Sequence, residues 1–218
     1  MAVSGKRIIL NKVLTGAKKI LQLYIMSKKE YNKKTKEELI KEVEELRERV
    51  EELKKPIDEV TGLYTWIHFL NLAEREFDRS RRFNRPMSVI LIDVDHLRKI
   101  NSDYNEKCGN EILLEVSKRC KDNIRDLDYL GCYEGGKFIL LLLEIKKTDA
   151  KKVSNRLRKI ISGRPVLTQK GPLRVTVSIG VADKIAEMSD ISSLLEKADE
   201  ALFSAKDQGR NRVETTNN

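Results

Sequence analysis

Apolar positions along the chain fall into three successive patterns. In residues 1–34, Ile9, Val13, Ala17, Ile20, Leu21 and Tyr24 recur at helical spacing, with Lys12, Lys18 and Lys19 on the other side. Residues three and four apart share one helix face, so this spacing predicts a basic amphipathic helix. Such a helix suits packing against a partner subunit or contact with an anionic surface. The absence of an aromatic cluster favours the subunit. In residues 35–56, "TKEELIKEVEELRERVEELKKP", the residues Leu39, Val43, Leu46, Val50 and Leu53 alternate steps of four and three. That is the seam of a coiled coil, and valine alternating with leucine favours two parallel strands. Pro56 ends it, which predicts a short stalk that dimerises the chain. A helix lying on the surface of its own domain is the alternative.

From residue 57 onward the period switches repeatedly. Strand-like runs cover 87–94, 129–134, 137–144 and 173–182, and helix-like runs fall near 65–84, 96–104, 109–124, 148–163 and 190–207. This order predicts an α/β domain with an antiparallel-containing sheet, helices on one face and the hairpin of 129–144 at its centre.

Charge changes the picture at one end only. The chain has 218 residues and a net charge of +9, but residues 1–36 hold ten Lys/Arg and one acid, leaving 33 bases and 33 acids in the rest. Attraction to anions is therefore concentrated in the N-terminal segment. Three cysteines without a CxxC pair argue against a disulfide framework or a zinc site and for reduced thiols in the cytoplasm. No apolar run is long enough to span a bilayer, and no secretory leader is evident.

Candidate chemistry sits at the ends of the apolar runs. "VILIDVDHL" places Asp93 and Asp95 on one face at a strand end, where carboxylates suit Mg²⁺ on a phosphorylated substrate or serve as caps. Asn101 can present both amide groups to a base edge, or simply end a helix. Lys206 and Arg210, four apart in "AKDQGRNRV", can meet phosphates, or satisfy a helix C-terminus beside Gly209. Between two apolar runs, "CYEGGKF" carries a Gly-Gly turn signal with no acid after it.

Taken in order, "DEVTGLYTW", "ILIDVDHLRKIN", "CYEGGKF", "VTVSIGVA" and "ADEALFSAKDQGRNRV" resemble the GGDEF (diguanylate cyclase) family from about Asp58 to Val213. The resemblance implies a palm-like α/β domain with a ferredoxin-like βαββαβ core over residues 57–218. It also implies a site at which active members, two subunits together, join two GTP into cyclic di-GMP by two-metal phosphoryl transfer. Asp93 then matches a metal-binding aspartate, Asn101 a guanine-recognising asparagine, and Lys206 and Arg210 the contacts to terminal phosphates. Asn110 stands where a second guanine-recognising aspartate is usual. The signature turn departs further: Gly136 and Lys137 occupy the places of the two acids, and sliding the alignment still puts Lys137 at the metal ligand's place. Asp93 alone would hold Mg²⁺ weakly, so no cofactor is required and no useful cyclase activity is expected.

Arg125 and Asp128 form an RxxD five residues before the turn, which in the family is an inhibitory site for cyclic di-GMP. The expectation is a catalytically silent GGDEF protein that senses cyclic di-GMP or GTP, dimerises through the stalk and passes the signal to a protein partner that the sequence does not identify. A weak cyclase or GTP hydrolase, and a purely structural dimerisation module, are the alternatives.

Overall fold

The structure, a computed structural model, describes Thr35 and residues 38–46, 55–133 and 135–216. The expected basic helix of 1–34, the seam residues Val50 and Leu53, and Glu134 in the turn lie outside the described residues. The chain divides into two compact units, Met1–Lys55 and Pro56–Asn218.

In the first unit, residues 38–46 are helical. The Thr35 amide donates to Glu38 Oε2 at 2.7 Å and the Glu38 amide donates to Thr35 Oγ1 at 3.2 Å. This reciprocal pair satisfies two amides that a helix start leaves free, and "TKEE" is its sequence signature. Val43, on the expected seam, is exposed within the single chain, as is Ile40.

The second unit is built on a five-stranded sheet. In chain order its elements are α1 (Trp66–Arg82), β1 (Met87–Val94), α2 (Leu97–Asp103), α3 (Glu106–Lys121), β2 (Tyr129–Cys132), β3 (Lys137–Leu143), α4 (Lys147–Gly163), β4 (Val166–Thr168), β5 (Gly171–Leu173), β6 (Val177–Asp183), α5 (Ile191–Asp207) and β7 (Val213–Thr215). The sheet order is β2-β3-β1-β6-β7, antiparallel except for β6 with β7, and β4–β5 form a separate hairpin. The ferredoxin-like core is therefore present, with β7 added at one edge.

Three expectations need correction. The hairpin of 129–144 is not central: β1 is, and β2 lies at the edge. Centrality follows apolarity, because every residue of β1 except Asp93 is buried, and continuous apolar runs suit strands covered on both faces. Helices also cover both faces rather than one. Ile90, Ile92 and Val94 pack in one core with Ile112 and Val116 of α3 and Leu157 and Ile161 of α4, whereas Gly180, paired with Leu91, faces α5. The run read as one strand over 173–182 is two, β5 and β6, because Leu173 pairs with Val166 in the small hairpin while Val177 pairs with Val94.

The entry segment protects the exposed edge at β2. Asp58 Oδ1 accepts from the Thr61 amide (2.8 Å) and hydroxyl (2.7 Å), and Gly62 turns with φ +67°. The chain then docks on β2, with the Cys132 amide donating to the Tyr64 carbonyl at 2.8 Å. Covering an edge in this way removes a template for unwanted strand pairing. Burial pushes the Cys132 thiol up to about 11 and that of Cys120 up to about 12, so both stay protonated at neutral pH.

One buried carboxylate joins distant parts of this sheet. Asp95 is 4% exposed. It accepts from Thr176 Oγ1 at 2.6 Å, Ser178 Oγ at 2.7 Å and the Asn211 amide at 3.1 Å. It thereby ties the end of β1 to β6 and to the loop after α5. In that loop Gly209, Arg210 and Asn211 all have positive φ (+109°, +61° and +46°). Non-glycine residues in that region carry strain that neighbours must hold in place, and Arg158 Nη1 adds donations to the Asn211 carbonyl and Oδ1, each at 3.0 Å.

Two substitutions test these constraints by denaturant unfolding. A methyl group at position 180 would lie 2.2 Å from both the Ala198 carbonyl oxygen and the Leu202 amide nitrogen, so Gly180→Ala should cost about 3 kcal/mol by forcing α5 off the sheet. Asp95→Ala strands the buried Ser178 hydroxyl, the half-buried Thr176 hydroxyl and an amide and should cost about 3 kcal/mol, with Asn, which keeps one acceptor oxygen, costing about half that. Unchanged midpoints would remove the role given to either residue.

Candidate nucleotide site

The register of β1 on β3 decides what faces Asp93. Asp93 pairs directly with Lys137 on β3 and with Ser178 on β6. Cross-strand partners in an antiparallel pair project to the same face, so the lysine of the turn stands opposite the aspartate. The turn itself is tight: Gly135 and Gly136 take φ +62° and +90°, and the Tyr133 amide donates to the Lys137 carbonyl at 2.8 Å. A Cβ at Gly136 would lie 2.3 Å from Leu97 Cδ2. Position 136 thus has no side chain, and its positive φ disfavours one.

Both ammonium groups of the cleft are already partnered. Lys206 Nζ lies 2.7 Å from Asp93 Oδ2, with Asp93 only 15% exposed. Lys137 Nζ lies 3.8 Å from Asp199 Oδ1 and 5.5 Å from the Tyr133 ring centroid. Tyr133 is in turn held edge-on by Trp66 at 4.6 Å. Sequence reasoning misses Asp199, although Asp199 and Lys206 lie seven apart on α5 and so share a face. It also offers Asp95 as a metal ligand, but the hydroxyls and amide described above already engage both its oxygens.

Asp93, Lys137, Lys206 and Arg210 line one cavity of about 440 Å³, together with His96 and Arg98. Asn101 and Asn110 are not part of this lining. Asn101 packs on Gly109, where a Cβ would come within 1.8 Å of Asn101 Oδ1, and that oxygen is buried without a hydrogen-bonding partner among the described residues. Asn110 follows Gly109 on α3. Among the described residues no three His, Cys, Asp or Glu side chains gather as a metal site.

The RxxD pair lies elsewhere, in the turn before β2. Asp128 Oδ2 accepts from the Arg125 amide at 3.3 Å and Oδ1 from the Leu143 amide at 3.4 Å. Partial burial raises its pKa, opposed by these two hydrogen bonds and the Arg125 charge. The carboxylate therefore braces its own turn against β3. Arg125 is exposed and lines two hollows. One, of about 200 Å³, it shares with Arg79 and Arg85; the other, of about 280 Å³, with Tyr64 and Lys121.

Comparison with known proteins places this architecture. Residues 55–212 match the family described as "Diguanylate cyclase, GGDEF domain". The chain is 33% identical over 157 residues to the response regulator PleD of Caulobacter vibrioides, covering 71% of this chain and 35% of that protein. It is 35% identical over 144 residues to the diguanylate cyclase DosC of Escherichia coli, covering 66% of this chain and 31% of that protein. The chain thus spans about a third of the length of these relatives. Among solved structures, the GGDEF domain of DgcB from Caulobacter crescentus in complex with c-di-GMP superposes with a TM-score of 0.71 at 21% identity, covering 73% of this chain and 92% of that one. The active GGEEF domain of a diguanylate cyclase from Vibrio cholerae gives 0.65 at 25% identity, covering 69% and 95%. With its family match over most of the second unit and this likeness to solved GGDEF domains, the chain belongs to the GGDEF, or diguanylate cyclase, family.

Proposed function

We propose that the domain binds guanine nucleotides as a signalling module and does not cyclise GTP. The observation that carries this reading is Lys137 standing directly across from Asp93. A Mg²⁺ ion takes about six oxygen ligands in near-octahedral geometry and keeps several waters, so it needs carboxylates in the right places. Among the described residues the cleft holds Asp93, already paired with Lys206, and Asp95, which accepts from two hydroxyls and an amide, and Gly136 supplies no carboxylate. An ammonium about 4 Å from a dication opposes it by about 2 kcal/mol in water and more in a cleft. The residues present do not fit the metal, and losing a charge-stabilising group of this kind typically slows catalysis by about a hundredfold to a thousandfold.

Binding chemistry is better represented. The solvent-facing Arg125 between two hollows can stack on a base or fork to a phosphate. The likeness to a GGDEF domain solved in complex with c-di-GMP supports that ligand. Asn101 Oδ1, buried and unpartnered, would gain a donor from a guanine edge after a side-chain rotation. A capped helix carrying exposed Val43 on a heptad seam supports pairing of two chains, which would let a ligand in one domain bias its neighbour.

Purified protein incubated with GTP and Mg²⁺ should give no cyclic product above buffer on chromatographic analysis; accumulation of cyclic di-GMP overturns the silent reading. In calorimetry, cyclic di-GMP should release heat on binding the parent protein and bind Arg125→Ala about tenfold or more weakly, as expected for loss of a charged contact. A parent protein that gives no heat removes cyclic di-GMP as the ligand.

A further inference from the structure

The cleft that fits a metal poorly has a composition of its own. Arg98, Lys137, Lys206 and Arg210 face Asp93 and Asp95 around about 440 Å³, a volume within the range of small-molecule sites. Asp95 is spent on Thr176, Ser178 and Asn211. The carboxylate left to the cleft, Asp93, is matched by one of the four cations, Lys206. A site that recruits phosphates through Mg²⁺ needs acids to hold the metal; among the described residues that line this one, cations outnumber carboxylates.

We infer that Lys137 stands in for the divalent cation, so that the cleft takes a triphosphate without metal. The inference rests on the proposed function, in which the domain binds a nucleotide without turning it over. Lys137 is suited to the task by its place and its weak prior engagement. It projects from β3 on the face of Asp93. Its present partner, Asp199, lies at 3.8 Å and is 55% exposed, and a solvated pair of that kind contributes little and is readily exchanged. Lys206 holds Asp93 at 2.7 Å, yet an ammonium has three donors and can keep the carboxylate while meeting a phosphate. Arg210 sits in the strained loop that Asp95 and Arg158 pin down, which presets its place at the rim. Binding then exchanges the Lys137–Asp199 pair for a phosphate contact, and no acid has to be neutralised first.

The test is calorimetric titration of the full chain with inorganic triphosphate, GTP and ATP, each in EDTA and again in excess Mg²⁺. Inorganic triphosphate and GTP should bind in EDTA, with affinity unchanged or reduced by Mg²⁺, which competes for the phosphates. Lys137→Met should weaken binding in EDTA by about tenfold or more, while Lys137→Arg should stay within about threefold. Thermal melts of both variants confirm folding. GTP binding more tightly than ATP or inorganic triphosphate assigns the ligand to a guanine nucleotide; equal affinities assign it to the triphosphate alone, and either supports the inference. Binding only in Mg²⁺, no binding in either buffer, or an unchanged Lys137→Met affinity overturns it. Cyclic di-GMP titrated alongside keeps the two readings separate, because the RxxD turn and this cleft share no residues.

Discussion

The antiparallel pairing of β1 with β3 is the constraint on which the candidate site depends. Seven consecutive pairs, from Met87 with Leu143 to Asp93 with Lys137, hold the two strands in one register. A slip of one residue would turn the whole apolar set of β1 toward the wrong layer, and that set is buried against helices on both sides. The sheet therefore cannot adjust to bring a different residue opposite Asp93. Whatever occupies position 137 faces that aspartate, and here it is an ammonium.

From this pairing follow the local electrostatics. Asp93 at the end of β1 finds its counter-charge within the chain, in Lys206 of α5, while Lys137, across from it on β3, pairs with Asp199 of α5. Asp95 provides the mechanical counterpart. Its carboxylate, facing the same layer two residues on, joins β1 to β6 and to the strained loop carrying Arg210. The cleft is thus preorganised by one buried acid and charged by lysine and arginine side chains at its surface.

The RxxD turn follows a different logic. Asp128 spends its oxygens on backbone amides of Arg125 and Leu143, so the turn is braced from within and Arg125 is left to project. The aspartate thus holds the turn, and the exposed arginine is the group proposed above to meet a ligand. The spacing alone could not separate those roles.

Much of the fold is legible in the order of residues alone. The helix-period and strand-period runs announce α1, β1, β3, α4 and α5 to within a residue or two, because these are long segments whose apolar faces repeat locally. The Gly-Gly turn and the absence of acids after it are likewise plain in "CYEGGKF". The short elements are not: β7 and the β4–β5 hairpin have three residues per strand and exist only through partners remote in sequence. The same holds for the break at 174–176, where Thr176 turns to meet Asp95, 81 residues away. Sequence by itself determined which side chains were available at the end of β1 and in the turn, since composition and local period are properties of the chain. Only the tertiary structure decided that Lys137 faces Asp93, that Asp199 and Lys206 complete the ion pairs and that Asp95 ties β1 to β6 and to the loop after α5. Those are relations between strands and helices that backbone pairing brings together over long separations.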